Sequence, residues 1–276
     1  MTEFLTIDGG TIAYDVTGEG PLVVLAPGIG NSRSAYRFVA PRLIEAGYRV
    51  ATVDLRGAGE SSAQWPSYSR TDIAGDLIAV IRHLGGPAVL VGHSISGGAA
   101  TIAAAQAPDL ISGVVELAPF TRAQSFKLGD LTHSAYRKGT LKMAGTMMGR
   151  LSSWTGYLDL AYPGRKPADW SADLAATEAM LREPGRMKAL QKMTQTSPAD
   201  AGAQLGNVRC PVLIVEGTLD PDWADPRAEG EAIVTAMPAG LARLEMIEGA
   251  GHYPHAQFPD ETVSLMLTFL QADARA

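Results

Sequence analysis

An apolar run, Ala88 to Val91, ends in Gly92-His93-Ser94-Ile95-Ser96-Gly97-Gly98 and passes at once into the alanine-rich segment Gly98 to Ala107. A strand that becomes a helix over so few residues must turn sharply, and the turn brings the backbones on either side of it together. Small residues are then needed two before the apex and two or three after it. Gly92, Ser96 and Gly97 meet that demand. Position 96 is expected to be limited by size, so that glycine would serve there and leucine would not. The apex residue, Ser94, is left with its side chain exposed at the top of the turn. It also stands at a helix N-terminus, where free N–H groups favour a developing negative charge.

The rest of the chain supplies partners for such a strand. Leu22–Leu25, Val50–Val53, Val114–Leu117 and Val212–Val215 are apolar runs, broken only by Thr52 and Glu116, as expected of parallel strands buried on both faces. Leu244–Ile247 is a further strand-like run, and Leu5–Ile7 with Thr11–Val16 reads as a hairpin around Asp8-Gly9-Gly10. Helix-like segments alternate with the runs: Ala35–Ala46, Thr71–Leu84, Gly98–Ala107, Ala228–Ala236 and Glu261–Leu270. The alternation predicts an α/β fold with a mostly parallel, doubly wound sheet.

The rhythm breaks after Leu117. Residues 119–206 hold no strand-like run and are rich in Met, Trp and Tyr, which predicts a helical cap inserted into a core of residues 1–118 and 207–276. The insertion carries twelve Lys/Arg and seven Asp/Glu, a net of +5, which leaves −11 for the remainder of a chain of formal net charge −6. That balance argues against nucleic acid as a partner. The apolar stretches are strand-length, so no membrane span is expected, and Met1-Thr2-Glu3-Phe4 does not begin a signal peptide. The single cysteine, Cys210, reads as a buried, inert thiol in a cytoplasmic protein.

A serine hydroxyl becomes a nucleophile when a base takes its proton. Of the five histidines, His252 lies in a Gly-rich loop after Leu244–Ile247, where α/β sheets place functional groups, with His255 in reserve. His93 is expected to point away from the serine. An acid must then orient the base, and Asp220 and Asp222 both follow the Val212–Val215 run in Gly217-Thr218-Leu219-Asp220-Pro221-Asp222.

Gly92-His93-Ser94-Ile95-Ser96 resembles the nucleophile elbow of the α/β-hydrolase superfamily, with Ser96 where the pattern usually has glycine. The chain order Ser94, Asp220, His252 is also that superfamily's. The resemblance implies a Ser94–His252–Asp220 triad and an oxyanion hole made by the N–H groups of Ile95 and of Ile29 in Ala26-Pro27-Gly28-Ile29-Gly30-Asn31. Asp54-Leu55-Arg56-Gly57 resembles another of its signatures, in which Asp54 and Arg56 are expected to satisfy loop backbone and each other. The Ser-x-Ser elbow is similar to that of the plant karrikin and strigolactone receptors. The expected activity is that of an enzyme, a serine hydrolase cleaving a carboxylic ester or lactone of a small, largely apolar molecule, with no cofactor and no metal. The alternatives are a triad-retaining receptor and a carbon–carbon bond hydrolase.

Overall fold

The computed structural model describes residues 1–123 and 127–273; residues 124–126 of the expected insertion and 274–276 of the expected core lie outside them. The strands are β1 (Glu3–Ile7), β2 (Gly10–Thr17), β3 (Leu22–Ala26), β4 (Arg49–Val53), β5 (Ala88–His93), β6 (Ile111–Leu117), β7 (Val212–Gly217) and β8 (Ala242–Ile247). The helices are α1 (Ala40–Glu45), α2 (Arg70–His83), α3 (Ile95–Gln106), α4 (Ser134–Met147), α5 (Leu151–Ala161), α6 (Trp170–Arg182), α7 (Arg186–Thr194), α8 (Ala199–Gly202), α9 (Pro226–Ala236), α10 (Pro254–Gln257) and α11 (Pro259–Asp273).

The strands form one sheet in the order β1-β2-β4-β3-β5-β6-β7-β8. The β1–β2 hairpin joins antiparallel at one edge, and every pairing from β4 to β8 is parallel. The fold is the α/β arrangement expected. Side chains alternate across each strand, so Val24 and Leu90 enter the core beneath α2 and α3, whereas Val23 and Val91 enter the core that Leu43 of α1 and Phe269 of α11 close on the other face. Both faces are thus covered, which is why the central strands read as apolar runs.

One helix expected from sequence is split. Ala35–Ala46 is a short 3₁₀ turn, Arg33–Tyr36, followed by α1. Pro41 lacks an N–H and its ring crowds the carbonyl one turn back, so it starts a helix rather than continuing one. In the other direction, α3 begins at Ile95, directly after Ser94 and three residues before the expected start at Gly98.

Helices α4–α7 fall between β6 and β7. Trp154, Tyr157, Leu158, Tyr162, Leu181 and Leu190 pack there with Tyr253 and Ala256. The packing sets α5 against loops that leave the C-terminal ends of two strands. A Cβ on Gly30, after β3, would meet the Trp154 ring at 2.7 Å, and one on Gly251, after β8, would meet the Ala161 carbonyl at 2.3 Å. Farther on, Ala201 and Leu205 join the α2/α3 side of the main core. No helix among the described residues is long and apolar enough to cross a membrane.

Candidate active site

Ser94 sits at the β5–α3 turn with φ 56° and ψ −119°, one of two non-glycine residues with positive φ among those described. Such a backbone costs energy and persists where its surroundings impose it. Here the crowding is visible. A Cβ on Gly92 would lie 2.1 Å from the Ser96 carbonyl oxygen, and one on Gly97 2.6 Å from Cβ of Pro119. The Ser94 amide donates to the Leu117 carbonyl at 3.0 Å, and the Ser94 carbonyl accepts from Gly97 at 3.0 Å and Phe120 at 3.1 Å. Its hydroxyl is not used to cap α3.

Ser94 and His252 line one cavity of about 490 Å³, together with Ile29, Ile95, Phe120, Met143, Trp154 and Tyr157. Ile95 is the first residue of α3, so its N–H has no acceptor within the helix. The loop after β3 runs close against the serine: a Cβ on Gly28 would lie 3.1 Å from Cβ of Ser94 and 2.7 Å from Nδ1 of His93. Asn31 Nδ2 donates to the Ile29 carbonyl and to the Tyr253 hydroxyl, each at 3.1 Å, which ties this loop to the neighbour of His252.

His252 is held from several sides. Its amide donates to the Ala161 carbonyl at 3.0 Å. Its Nδ1 lies 2.8 Å from Asp220 Oδ2 and 3.2 Å from Asp222 Oδ2. Carboxylate oxygens only accept, so Nδ1 carries a proton, and the neutral ring leaves Nε2 as the basic atom. Burial alone would lower the pKa of this imidazole; the two carboxylates outweigh it and raise it to about 9. Asp220 comes from the loop after β7, which touches the loop after β8 so closely that a Cβ on Gly217 would meet the Gly251 carbonyl oxygen at 2.3 Å. Asp222 is pushed up to about 6 by burial, with the imidazole opposing. It accepts from the Tyr157 hydroxyl at 2.5 Å, and its amide donates to Asp220 Oδ1 at 2.9 Å. Among the described residues, Asp220, Asp222 and His252 are also the one group whose ligand atoms lie close enough to share a cation, within 4.8 Å.

Two expectations are corrected. His93, expected to be structural and to point away from the serine, is structural but packs its ring against His252. It is fully buried, its ring centroid lies 4.8 Å from that of His252, and its Nε2–H donates to the His252 carbonyl at 2.8 Å. Burial, helped by His255 and His252, pulls its pKa well below the ordinary value, so it is a neutral brace. His255 is likewise buried, stacked on Tyr36, with its pKa lowered to about 3 by burial first. Asp54 and Arg56 do not pair with each other. Asp54 holds Arg33 and the Glu60 amide, whereas Arg56 grips Asp76 through two contacts of 2.7 Å. Their neighbours in sequence suggested a pair; the turn directs them to opposite partners.

Sequence reasoning missed Tyr157, which reaches Asp222 from 65 residues away. It also missed Arg70, a buried cation that lines the same cavity. A local signal for Arg70 existed. It is the first residue of a helix, the end where the helix dipole disfavours positive charge.

Residues 23–265 match the alpha/beta hydrolase family. The chain belongs to that family. By that kinship it is a hydrolase enzyme. It is 27% identical to a probable esterase of Oryza sativa subsp. japonica, covering 94% of this chain and 95% of that protein. It is equally 27% identical to the Karrikin insensitive 2 receptor IA of Petunia hybrida, over 95% of each. Among solved structures, an esterase from Exiguobacterium antarcticum shares the fold at a TM-score of 0.80 and 20% identity, over 98% of this chain and 100% of that one.

Proposed function

We propose that the protein is a serine hydrolase acting on a carboxylic ester or lactone of a small, largely apolar molecule. The observation that carries this reading is the His252 imidazole, with Nδ1 on Asp220, sharing one cavity wall with the strained Ser94. In this mechanism Nε2 of His252 takes the Ser94 proton as the hydroxyl attacks the carbonyl. Charge on the tetrahedral oxygen is met by the N–H groups of Ile29 and Ile95. The imidazolium, oriented by Asp220, protonates the leaving alcohol and leaves an acyl group on Ser94. A water activated by the same imidazole then releases the acid. Helices α4–α7 act as the cap over this centre. Within the inserted residues 119–206, the last turns around Ala201 and Leu205 serve the core of residues 1–118 and 207–276 instead. The buried Cys210 suits a reducing, cytoplasmic setting.

A second reading, a ligand receptor that keeps the triad, is favoured by the similarity to a plant receptor over almost the whole chain. Turnover of p-nitrophenyl esters of increasing acyl length, with fluorophosphonate labelling, separates the two. Labelling at Ser94, multiple turnovers and their loss in Ser94→Ala support the enzyme. Labelling elsewhere, or activity that survives in Ser94→Ala, overturns the assignment; a single slow turnover favours the receptor.

A further inference from the structure

Arg70 is 5% exposed and lines the cavity that holds Ser94 and His252. Nε donates to the Phe120 carbonyl at 3.0 Å and Nη1 to the Thr196 hydroxyl at 3.1 Å. Both acceptors are neutral, and among the described residues Arg70 forms no ion pair. The nearest influence of opposite charge is Asp200, whose carboxylate is already engaged. One oxygen accepts from the Thr71 amide and hydroxyl at 3.3 and 3.1 Å, the other from the Ala201 amide at 2.9 Å.

This placement is costly on two counts. A buried charge ordinarily has an ionic partner, and a cation in the first turn faces the positive end of the helix dipole. Burial pulls the Arg70 pKa down to about 10, with Asp200 opposing, so the side chain remains charged at neutral pH. Phe120 links it to the nucleophile: its amide donates to the Ser94 carbonyl at 3.1 Å and its carbonyl accepts from Arg70. The cavity lining includes the apolar side chains of Ile29, Met143 and Met193. Asp222 and His252 line the same cavity, and there the carboxylates are paired with the imidazole, whereas Arg70 is paired with no carboxylate among the described residues.

We propose that Arg70 is the anion-binding subsite of this cavity, and that the substrate is an ester or lactone bearing a carboxylate separated from the scissile carbonyl by a short apolar spacer. The proposal rests on the serine-hydrolase reading above and deepens it. A carboxylate placed at Arg70 supplies the missing charge-assisted hydrogen bonds, and its apolar spacer fits the walls.

The test compares mono-p-nitrophenyl adipate with its neutral isostere, methyl p-nitrophenyl adipate, at pH 7.5. The wild type should prefer the carboxylate by about tenfold or more in kcat/KM, chiefly through KM. That ratio should collapse toward unity in Arg70→Gln and be partly kept in Arg70→Lys. If Arg70 only braces Phe120 and Thr196, Arg70→Gln lowers both rates and leaves the ratio unchanged, which overturns the subsite. Equal use of the two esters by the wild type also overturns it, while leaving the hydrolase reading intact. If neither ester turns over, the hydrolase reading is the one in question, and binding decides the subsite: adipate should raise Tm where adipamide does not, and Arg70→Gln should abolish the difference. An equal response to diacid and diamide overturns the proposal.

Discussion

The Ser96 hydroxyl donates to the Pro27 carbonyl at 2.5 Å, so the turn that carries Ser94 is tied directly to the loop that carries Ile29. This replaces the expectation that only size matters at position 96. The close steric approach falls on Gly92, whose added Cβ would strike the Ser96 main chain, while the Ser96 side chain turns away into a buried hydrogen bond. Ser96→Ala and Ser96→Gly should therefore both be costly. Each leaves a buried carbonyl without its donor, worth about 1–3 kcal/mol of stability. Each also frees the Pro27–Ile29 segment to drift, and Å-scale misplacement at a reacting centre costs about 10²-fold in rate. Urea unfolding and ester kinetics on both variants check this. Wild-type stability and turnover in Ser96→Gly would return the position to a purely steric role.

Two carboxylates share Nδ1 of His252, and they should differ in consequence. Asp220 has the shorter contact, 2.8 Å against 3.2 Å, and in the proposed triad it is the acid that fixes the tautomer. Asp220→Asn should lower kcat by about 10⁴, the size seen when a serine protease loses the corresponding acid. Asp222→Asn should act through charge. Removing one negative group beside the imidazole lowers the pKa that the pair of acids raises to about 9. Because the base works in its neutral form, the acidic limb of kcat/KM should move to lower pH. A larger loss of kcat in Asp222→Asn than in Asp220→Asn would exchange their roles.

Tyr157 of α5 meets Asp222, the partner in that second contact. Its hydroxyl steadies the ionised Asp222 against the burial that pushes its pKa to about 6. In Tyr157→Phe more of Asp222 is protonated at neutral pH, so the kinetic limb should shift in the same direction as in Asp222→Asn. The double variant should shift little further, since one change already removes what the other acts through. Additive shifts would mean that Tyr157 reaches His252 by another route.

The features that sequence displayed were those with a local cause. Leu22–Ala26 of β3, Ala88–Val91 of β5 and Val212–Val215 of β7 appear as unbroken apolar runs because both faces of these strands are buried. Gly92, Ser94 and Gly97 appear together because one sharp turn demands all of them. Chain order set Ser94, Asp220 and His252 after three different strands, and parallel pairing brings those strand ends together. The resemblance singles out Asp220, three residues after Gly217, over Asp222; that Asp222 would also reach the same nitrogen was not legible, because a two-residue spacing in a loop leaves the direction of each carboxylate open. The direction of the His93 and Ser96 side chains depends on how the β3 and β8 loops close over β5. The Tyr157–Asp222 contact joins elements whose packing no local pattern encodes.

Glu116 offers a test of the sheet itself. It is fully buried on β6, with Oε1 accepting from the Thr101 hydroxyl and Oε2 without a partner among the described residues. Burial pushes its pKa up to about 8 from an ordinary 4.5, the Thr101 hydrogen bond opposing. The folded chain therefore keeps a proton that the unfolded chain releases. At or below pH 4.5 both states are protonated and this group costs no pH-dependent stability. From there to about pH 8 stability falls as pH rises, by at most about 1.4 kcal/mol per unit. Glu116→Gln keeps an amide oxygen for Thr101 and removes the titration. The variant should gain on the wild type steadily between pH 5 and pH 8. Urea unfolding of the two proteins across that range measures it. A stability difference that stays constant with pH would show that Glu116 does not hold the proton that its burial implies.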